Sequence, residues 1–130
     1  MILAAIVFLT LSCHKTEETI KTFTGPLPIV ATNSPTTVFA GQNIIAIVRC
    51  QLSSLSGSVS FQGFNIRQTS ANEFAIAANA LYKDWNTQIA MPVMWTLDTI
   101  ASIRPVFPGQ YILRFYNSNQ LFKSDTVRVI

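Results

Sequence analysis

The chain has 130 residues and a formal net charge of +3, and only 12% of its residues are charged. This length is enough for one domain. A charged fraction well below the usual value of about 25% favours strands over long surface helices. The basic residues come singly along the sequence, whereas a nucleic-acid-binding surface needs them clustered on one face. We therefore expect one domain and no nucleic-acid partner.

The amino terminus carries an apolar run over residues 2–12 and turns abruptly polar at Cys13. The run is too short to cross a bilayer, which needs about 20 residues, but its length suits the apolar region of a secretory signal. We predict that residues 1–12 are a signal peptide. The alternative is a buried first strand with an ordinary thiol at Cys13. No Lys or Arg precedes the run, so either the start lies upstream or the signal is atypical.

The segment Thr10-Leu11-Ser12-Cys13 resembles the lipobox of bacterial lipoproteins. In that family the signal is cut before the cysteine, which then carries fatty acyl chains. The resemblance implies that Cys13 is lipidated, that membrane lipid is a partner, and that residues 13–24 are the lipidated cysteine and a polar tether. Lys15-Thr16-Glu17-Glu18 resembles the export tags of Bacteroidetes-type surface lipoproteins. The implied location is the bacterial cell envelope, at the outer membrane or cell surface.

From residue 25 onward the sequence favours short strands. Two prolines within residues 25–28 predict an extended entry, followed by a strand at residues 29–32. The clearest strand is residues 43–52, where every second residue from Ile44 to Leu52 is apolar, a spacing typical of strands. Residues 44–48 are apolar on both faces. This suggests that the outer face is covered by another part of the chain or by another protein.

The next predicted strand changes its alternation in the middle. Val59 and Phe61 point to one side, and Phe64 and Ile66 stay on that side only if Gln62-Gly63 forms a β-bulge. Glycine permits such a bulge.

Residues 70–85 fit two structures. Ser70-Ala71-Asn72-Glu73 matches a helix capping box, and apolar residues at helical spacing follow it. Every second residue from Phe74 to Tyr82 is also apolar, as in a strand. We favour the strand, with residues 69–72 as a hairpin turn, because the surrounding chain is strand throughout.

The carboxyl-terminal part contains four further predicted strands. They cover residues 89–96, 99–104, 110–116 and 121–130. Pro92 argues for an edge position of the first of them. Pro108-Gly109 and residues 117–120 supply turns.

About seven to eight short antiparallel strands after the signal and tether predict an all-β sandwich over residues 25–130. Residues 108–113 resemble the corner before the sixth strand of immunoglobulin-like domains, with Tyr111 two residues before the position of the second disulfide cysteine. Leu113 occupies that position here, while Cys50 resembles the first cysteine. We expect Cys50 to be a buried free thiol. Residues 108–117 and 121–127 are also similar to small Bacteroidetes-type lipoproteins with no assigned activity.

Residues able to carry catalysis or bind metal are few. His14, the one histidine, lies on the predicted tether and cannot be held in a rigid triad, and Cys50 stands alone as a zinc ligand. The acidic residues of the domain lie at turns or beside hydroxyl groups, which is typical of local hydrogen bonds. They are Glu73, Asp84, Asp98 and Asp125. We expect no enzymatic activity, no catalytic residue, no metal and no cofactor.

Aromatic residues give the remaining indication of a ligand. Tyr82, Trp85, Trp95 and Phe107 fall between the central strands and the last hairpin, and exposed coplanar rings can stack on sugars. Trp95 is expected in the core, whereas Trp85 lies on a predicted loop. Trp85 and Tyr82 are therefore the candidate ligand-binding residues.

Together these patterns predict a membrane-anchored lipoprotein that serves as a non-enzymatic interaction module. The expected partner is a protein bound by a sheet face or edge. The alternative is a carbohydrate-binding surface lipoprotein that uses its exposed aromatic residues.

Overall fold

Alternating apolar and polar residues make most of this chain β-structure. The computed structural model describes residues 22–83 and 91–130, which form strands and no helix, so this part contains no helix long and apolar enough to cross a membrane. The strands are β1 (Thr22–Leu27), β2 (Ile29–Asn33), β3 (Thr37–Val38), β4 (Ile44–Leu52), β5 (Ser58–Ser70), β6 (Glu73–Lys83), β7 (Trp95–Ile103), β8 (Gly109–Asn117) and β9 (Gln120–Val129). The predicted signal peptide, Cys13, His14, Asp84 and Trp85 lie outside the described residues.

The strands form two sheets, which confirms the all-β prediction. The larger sheet has the order β1-β6-β8-β9-β3, with β5 also paired to β6, and the smaller sheet has the order β2-β4-β7. Strand β6 is central, because β5 pairs with it over its whole length while β8 pairs with residues 73–77 and β1 with residues 78–83. Strand β1 begins at Thr22, so three residues of the predicted tether already belong to the sheet.

Two pairings are parallel, and here the expectation of exclusively antiparallel strands is wrong. They are β6 with β8 and β3 with β9. Between β6 and β8 the chain passes through β7 of the other sheet and returns in its original direction. Such a crossover is what a parallel pair requires.

Residues 73–83 are a strand, which confirms the favoured interpretation of residues 70–85 over this range. Ser70 Oγ lies 2.9 Å from Glu73 Oε2, so the polar pair that resembles a capping box closes a β-hairpin turn instead. Phe74 to Tyr82 then alternate across the sheet, and Ile76, Ala78 and Ala80 are fully buried. Tertiary burial of this face outweighs the local helical signal.

The bulge predicted at Gln62-Gly63 is confirmed. The register between β5 and β6 shifts between Phe61 and Gly63, and Gly63 has φ +98°. Phe61 then lies opposite Ala80 and Phe64 opposite Ala78, so both rings remain on the core side. Glycine suits this position because residues with a Cβ rarely adopt positive φ.

The strand predicted over residues 89–96 is wrong over residues 91–94 and correct only at Trp95 and Thr96 within its described part. Met91 makes an isolated bridge with Leu55, and the Val93 N–H donates to the Met91 carbonyl at 2.7 Å, which turns the chain around Pro92. Strand β7 begins only at Trp95 and continues to Ile103, so it includes most of the separate strand predicted at residues 99–104. Proline lacks the N–H that a ladder needs.

Polar contacts join the two sheets where β2 passes near the last hairpin. The Asn117 side-chain amide accepts from Ile29 N at 2.7 Å and donates to Ile29 O at 3.0 Å. The buried Asp125 carboxylate of β9 accepts hydrogen bonds from Thr32 Oγ1 at 2.9 Å and Ser34 Oγ at 2.6 Å. These bonds satisfy groups that would be costly to bury unpaired.

Tyr111 fixes the loop that enters β8. Its hydroxyl donates to the Phe107 carbonyl at 2.7 Å and accepts from the Phe107 N–H at 3.1 Å, while its ring is buried. One side chain therefore satisfies both backbone groups of a residue four positions earlier.

Replacement of Tyr111 by Phe tests this role. We expect Tyr111→Phe to lower the free energy of unfolding by about 1–3 kcal/mol, because two part-buried hydrogen bonds to the backbone of Phe107 are lost. Tyr116→Phe is the matched control, since the Tyr116 hydroxyl makes no hydrogen bond with the described residues, and it should change stability by less than about 0.5 kcal/mol. Urea unfolding followed by tryptophan fluorescence measures both, and equal losses would contradict the assignment.

Candidate functional site

Tyr82 does not meet the condition for a sugar-stacking residue, because its ring is buried. Only 5% of the residue is exposed, its hydroxyl donates to the Pro26 carbonyl at 2.6 Å, and its ring stacks on Phe23 with centroids 4.9 Å apart. The alternation of β6 places Tyr82 on the core face together with Ala80. The expectation of an exposed platform is therefore wrong for Tyr82, while Trp85 lies outside the described residues.

The other two aromatic candidates do not join Tyr82. Trp95 packs against the core, as expected from its alternation. Phe107 is 64% exposed but lies in the loop before β8, beside the start of β6, whereas Tyr82 lies near the end of β6. Phe107 and Tyr82 are therefore separated along the sheet by eight or more strand residues, a distance on the order of 25 Å. The three described aromatic candidates therefore form no common stacking surface.

Each described carboxylate is held by its own partners. Glu73 pairs with Arg114, and Asp98 pairs with Arg49 through bonds of 2.7 and 3.0 Å. These hydrogen bonds from arginine hold the pKa of Glu73 and the pKa of Asp98 below their ordinary values. Within residues 22–83 and 91–130, no three His, Cys, Asp or Glu side chains are close enough to hold a metal ion.

Cys50 is a buried free thiol, as predicted. It lies on the core face of β4, and burial is the main reason that its pKa rises from 9.0 to about 11. Asp98 adds a smaller effect in the same direction. The thiol is therefore protonated and inaccessible at neutral pH, which suits packing better than chemistry.

The outer face of the smaller sheet carries an exposed apolar cluster, which we call the isoleucine face. It consists of Ile45, Ile47 and Ile100, which are 47%, 49% and 56% exposed. Ile47 of β4 lies directly opposite Ile100 of β7, and Ile45 is two residues along the same face. The apolar character predicted for both faces of residues 44–48 is therefore real, and no described segment covers the outer one.

Polar groups border the isoleucine face on one side. The next residue pair along the strands is Arg49 opposite Asp98, joined by two hydrogen bonds. A recess of about 190 Å³ lies beside Ile47, between β2 and β4, with Ala31 and Asn33 on its far wall. An apolar centre with a satisfied ion pair and a shallow recess at its margin is an arrangement common in protein interfaces.

Comparisons of this chain with protein-family models, with curated proteins and with solved structures gave no match. The site is therefore defined by its own geometry.

Two of the three residues of the isoleucine face were indicated by the sequence, and the third was missed. Ile45 and Ile47 stand out in the sequence because they occupy the alternate positions at which an amphipathic strand usually carries polar residues. Ile100 also occupies an outward position of its strand, between Asp98 and Ser102, but its place beside Ile47 becomes visible only once β7 is aligned with β4. The ion pair of Arg49 with Asp98 was also missed, because the two residues are 49 positions apart in the sequence. Arginine and aspartate are ordinary surface residues, so neither one indicates the contact by itself.

Thiol labelling tests the burial of Cys50. Because the folded pKa is about 11 against an ordinary 9.0, the thiolate fraction at pH 8 should fall about 100-fold relative to the unfolded chain, and burial should slow labelling further. This raised pKa contributes stability below pH 9, which is lost as the pH rises through about 11. Iodoacetamide labelling with mass mapping of the Cys50 peptide checks it; equal rates with and without urea would contradict the burial.

Proposed function

We propose that this protein is a non-enzymatic binding module, held at the bacterial cell envelope by lipid on Cys13, that binds a protein partner through the isoleucine face. The observation that carries the proposal is the contiguity of three half-exposed isoleucines on one rigid sheet. Single exposed apolar residues are common on protein surfaces, whereas adjoining ones mark interaction sites.

The energetics favour a partner that covers this face. Complete burial of one isoleucine contributes about 1.5–3 kcal/mol, so burying the exposed halves of Ile45, Ile47 and Ile100 contributes on the order of 3 kcal/mol. The β-strands on which they stand are fixed by pairing on both sides of β4. A partner therefore binds a surface that is already ordered and loses little conformational entropy on the protein side.

The fold that carries this surface is, in our proposal, immunoglobulin-like. The Tyr111 hydroxyl bonded to Phe107 and the parallel pair of β3 with β9 support that interpretation. The parallel pair of β6 with β8 departs from it. In immunoglobulin domains the strand that follows the one with the first cysteine lies beside the sixth strand. That arrangement would place β5 beside β8, whereas here β6 lies between them. The proposal concerns a module of this architecture and assigns it no catalytic role.

The tether limits where the module sits. Nine residues lead from Cys13 to Thr22, which spans at most about 30 Å when extended. Thr22 pairs with Lys83, so the tether joins this end of the larger sheet.

Tyr82 does not support the alternative of a sugar site on Trp85 and Tyr82, because it is buried. A role for Trp85 stays a prediction.

Acylation of Cys13 has a direct test with a matched control. We expect Cys13→Ala to abolish palmitate incorporation in the bacterial host and to move the protein from the membrane to the soluble fraction, because no acyl chain remains to anchor it. Cys50→Ala changes the other cysteine and should keep both the label and the membrane association. Retention of label in Cys13→Ala would overturn the anchor.

Photo-crosslinking in intact cells tests the isoleucine face. A benzoylphenylalanine probe at Ile45 should give a discrete protein adduct, and adding Ile100→Lys should reduce it about tenfold, since a charge desolvated within an apolar contact costs more than 1.4 kcal/mol. A probe at Thr126, exposed on the larger sheet, should not give that adduct.

The adduct's mass identifies the partner, including a second copy of this chain. An adduct that persists at full yield with Ile100→Lys, or no adduct from Ile45 at all, would refute binding through this face. A circular dichroism spectrum matching the parent confirms that each variant is folded.

A further inference from the structure

The outer face of the larger sheet contains a depression that is separate from the isoleucine face. We call it the β6 groove. Its floor is Ala75 and Ala77 of β6, and its walls are Asn65 and Arg67 of β5 and Tyr116 of β8. The cavity has a volume of about 330 Å³. It exists because two methyl groups on the central strand lie between longer side chains on both neighbouring strands.

The strand register fixes two rows of side chains across the groove. In the first row Arg67, Ala75 and Arg114 follow one another on β5, β6 and β8. In the second row Asn65, Ala77 and Tyr116 do so. Strands lie about 4.8 Å apart, so the residues flanking each alanine stand about 10 Å from each other. This separation leaves room for one ring-shaped ligand above the alanines.

Electrostatics favour an anion in the β6 groove. Arg114 is neutralised by Glu73. Arg67 is exposed and, among the described residues, has no carboxylate within ion-pair distance. A guanidinium presents its donors in a fixed fork that matches a carboxylate. Arg67 is therefore an available cation at the rim of a concave surface.

The remaining walls favour a ligand with hydroxyl groups. Asn65 supplies an amide that both donates and accepts, and Ser118 and Asn119 border the groove from the turn after β8. Tyr116 is half-buried, so part of its ring faces the groove, and an aromatic ring packs well on the C–H face of a sugar. The shallow alanine floor offers no deep apolar pocket for a hydrophobic side chain.

We propose that the β6 groove binds a carboxylate-bearing sugar, with Arg67 on the carboxylate, Tyr116 against the ring and Asn65 on its hydroxyl groups. This site lies on the opposite sheet from the isoleucine face, so the two proposals stand or fall independently. It involves neither Trp85 nor Tyr82.

The test is an NMR titration of the ¹⁵N-labelled full chain in nonionic micelles with tri-galacturonic acid. We expect saturable shift changes centred on residues 65–67, 75–77 and 116–119, with a dissociation constant of about 1 mM or below. Fully methyl-esterified trimer removes the ligand's charges at nearly constant shape, and it should bind at least about tenfold more weakly.

Two variants separate the groove from general charge effects. Arg67→Gln should weaken binding of the acidic trimer about tenfold or more, while Arg128→Gln, an exposed arginine on β9 of the same sheet, should leave it within about twofold. Both spectra report directly whether the variant is folded. Equal weakening by the two variants, or shifts spread over the whole surface, would reduce the effect to nonspecific attraction and overturn the site.

A titration with sodium acetate separates the sugar from its carboxylate. Acetate at matched carboxylate concentration should give less than about a tenth of the occupancy, because it lacks the ring and the hydroxyl groups. Equal occupancy by acetate would show that the groove is a simple anion site and would refute the proposal. The absence of saturable binding of the acidic trimer would refute it as well.

Discussion

The two-residue alternation of β6 is the constraint on which the rest of the larger sheet depends. Three strands pair with it, so its register decides the register of β1, β5 and β8 together. A shift by one residue would turn Ile76 to solvent and bring Asn79 and Lys83 into the core. Burial of the apolar face therefore fixes the sheet, although the same segment carries a local helical signal at Ser70 to Glu73. The polar residues of that signal find another use, because Ser70 and Glu73 bond to each other across a tight turn.

The strands were predictable wherever local alternation reflects burial on one side. Residues 44–52 and the bulge at Gly63 belong to this class, because a glycine at the point where the apolar parity changes is a direct local indication of a bulge. Strand β7 does not, since Pro92 interrupts the alternation that runs through residues 89–96. The parallel pair of β6 with β8 depends on which sheet the intervening strand joins, and no local pattern encodes that choice. The same limit applies to sites: Ile47 stands out in the sequence, whereas its pairing with Ile100 depends on the alignment of β7 with β4.

The two outer faces differ in chemistry, and the difference follows from how each sheet handles its charges. On the smaller sheet Arg49 and Asp98 neutralise each other beside an apolar cluster, so the surface offers area with little net field. On the larger sheet Arg114 is neutralised by Glu73 but Arg67 is not, so the surface offers charge beside a depression. An uncharged apolar area suits a protein surface, while a charged concavity suits a small anion. One domain of this size can therefore offer one surface to a protein and a different surface to a small anion.

The alanines of β6 connect the core to the proposed groove. Inward-facing Ala78 and Ala80 lie opposite Phe64 and Phe61, whose rings meet edge to face at 5.1 Å, so small residues on one strand make room for large ones on the next. Outward-facing Ala75 and Ala77 have no such steric reason, because nothing described packs over them. Alanine is a poor strand former, and a β-branched residue at either position would favour the strand while filling the groove. The inward alanines are thus explained by packing, whereas the outward pair leaves open the space of the β6 groove.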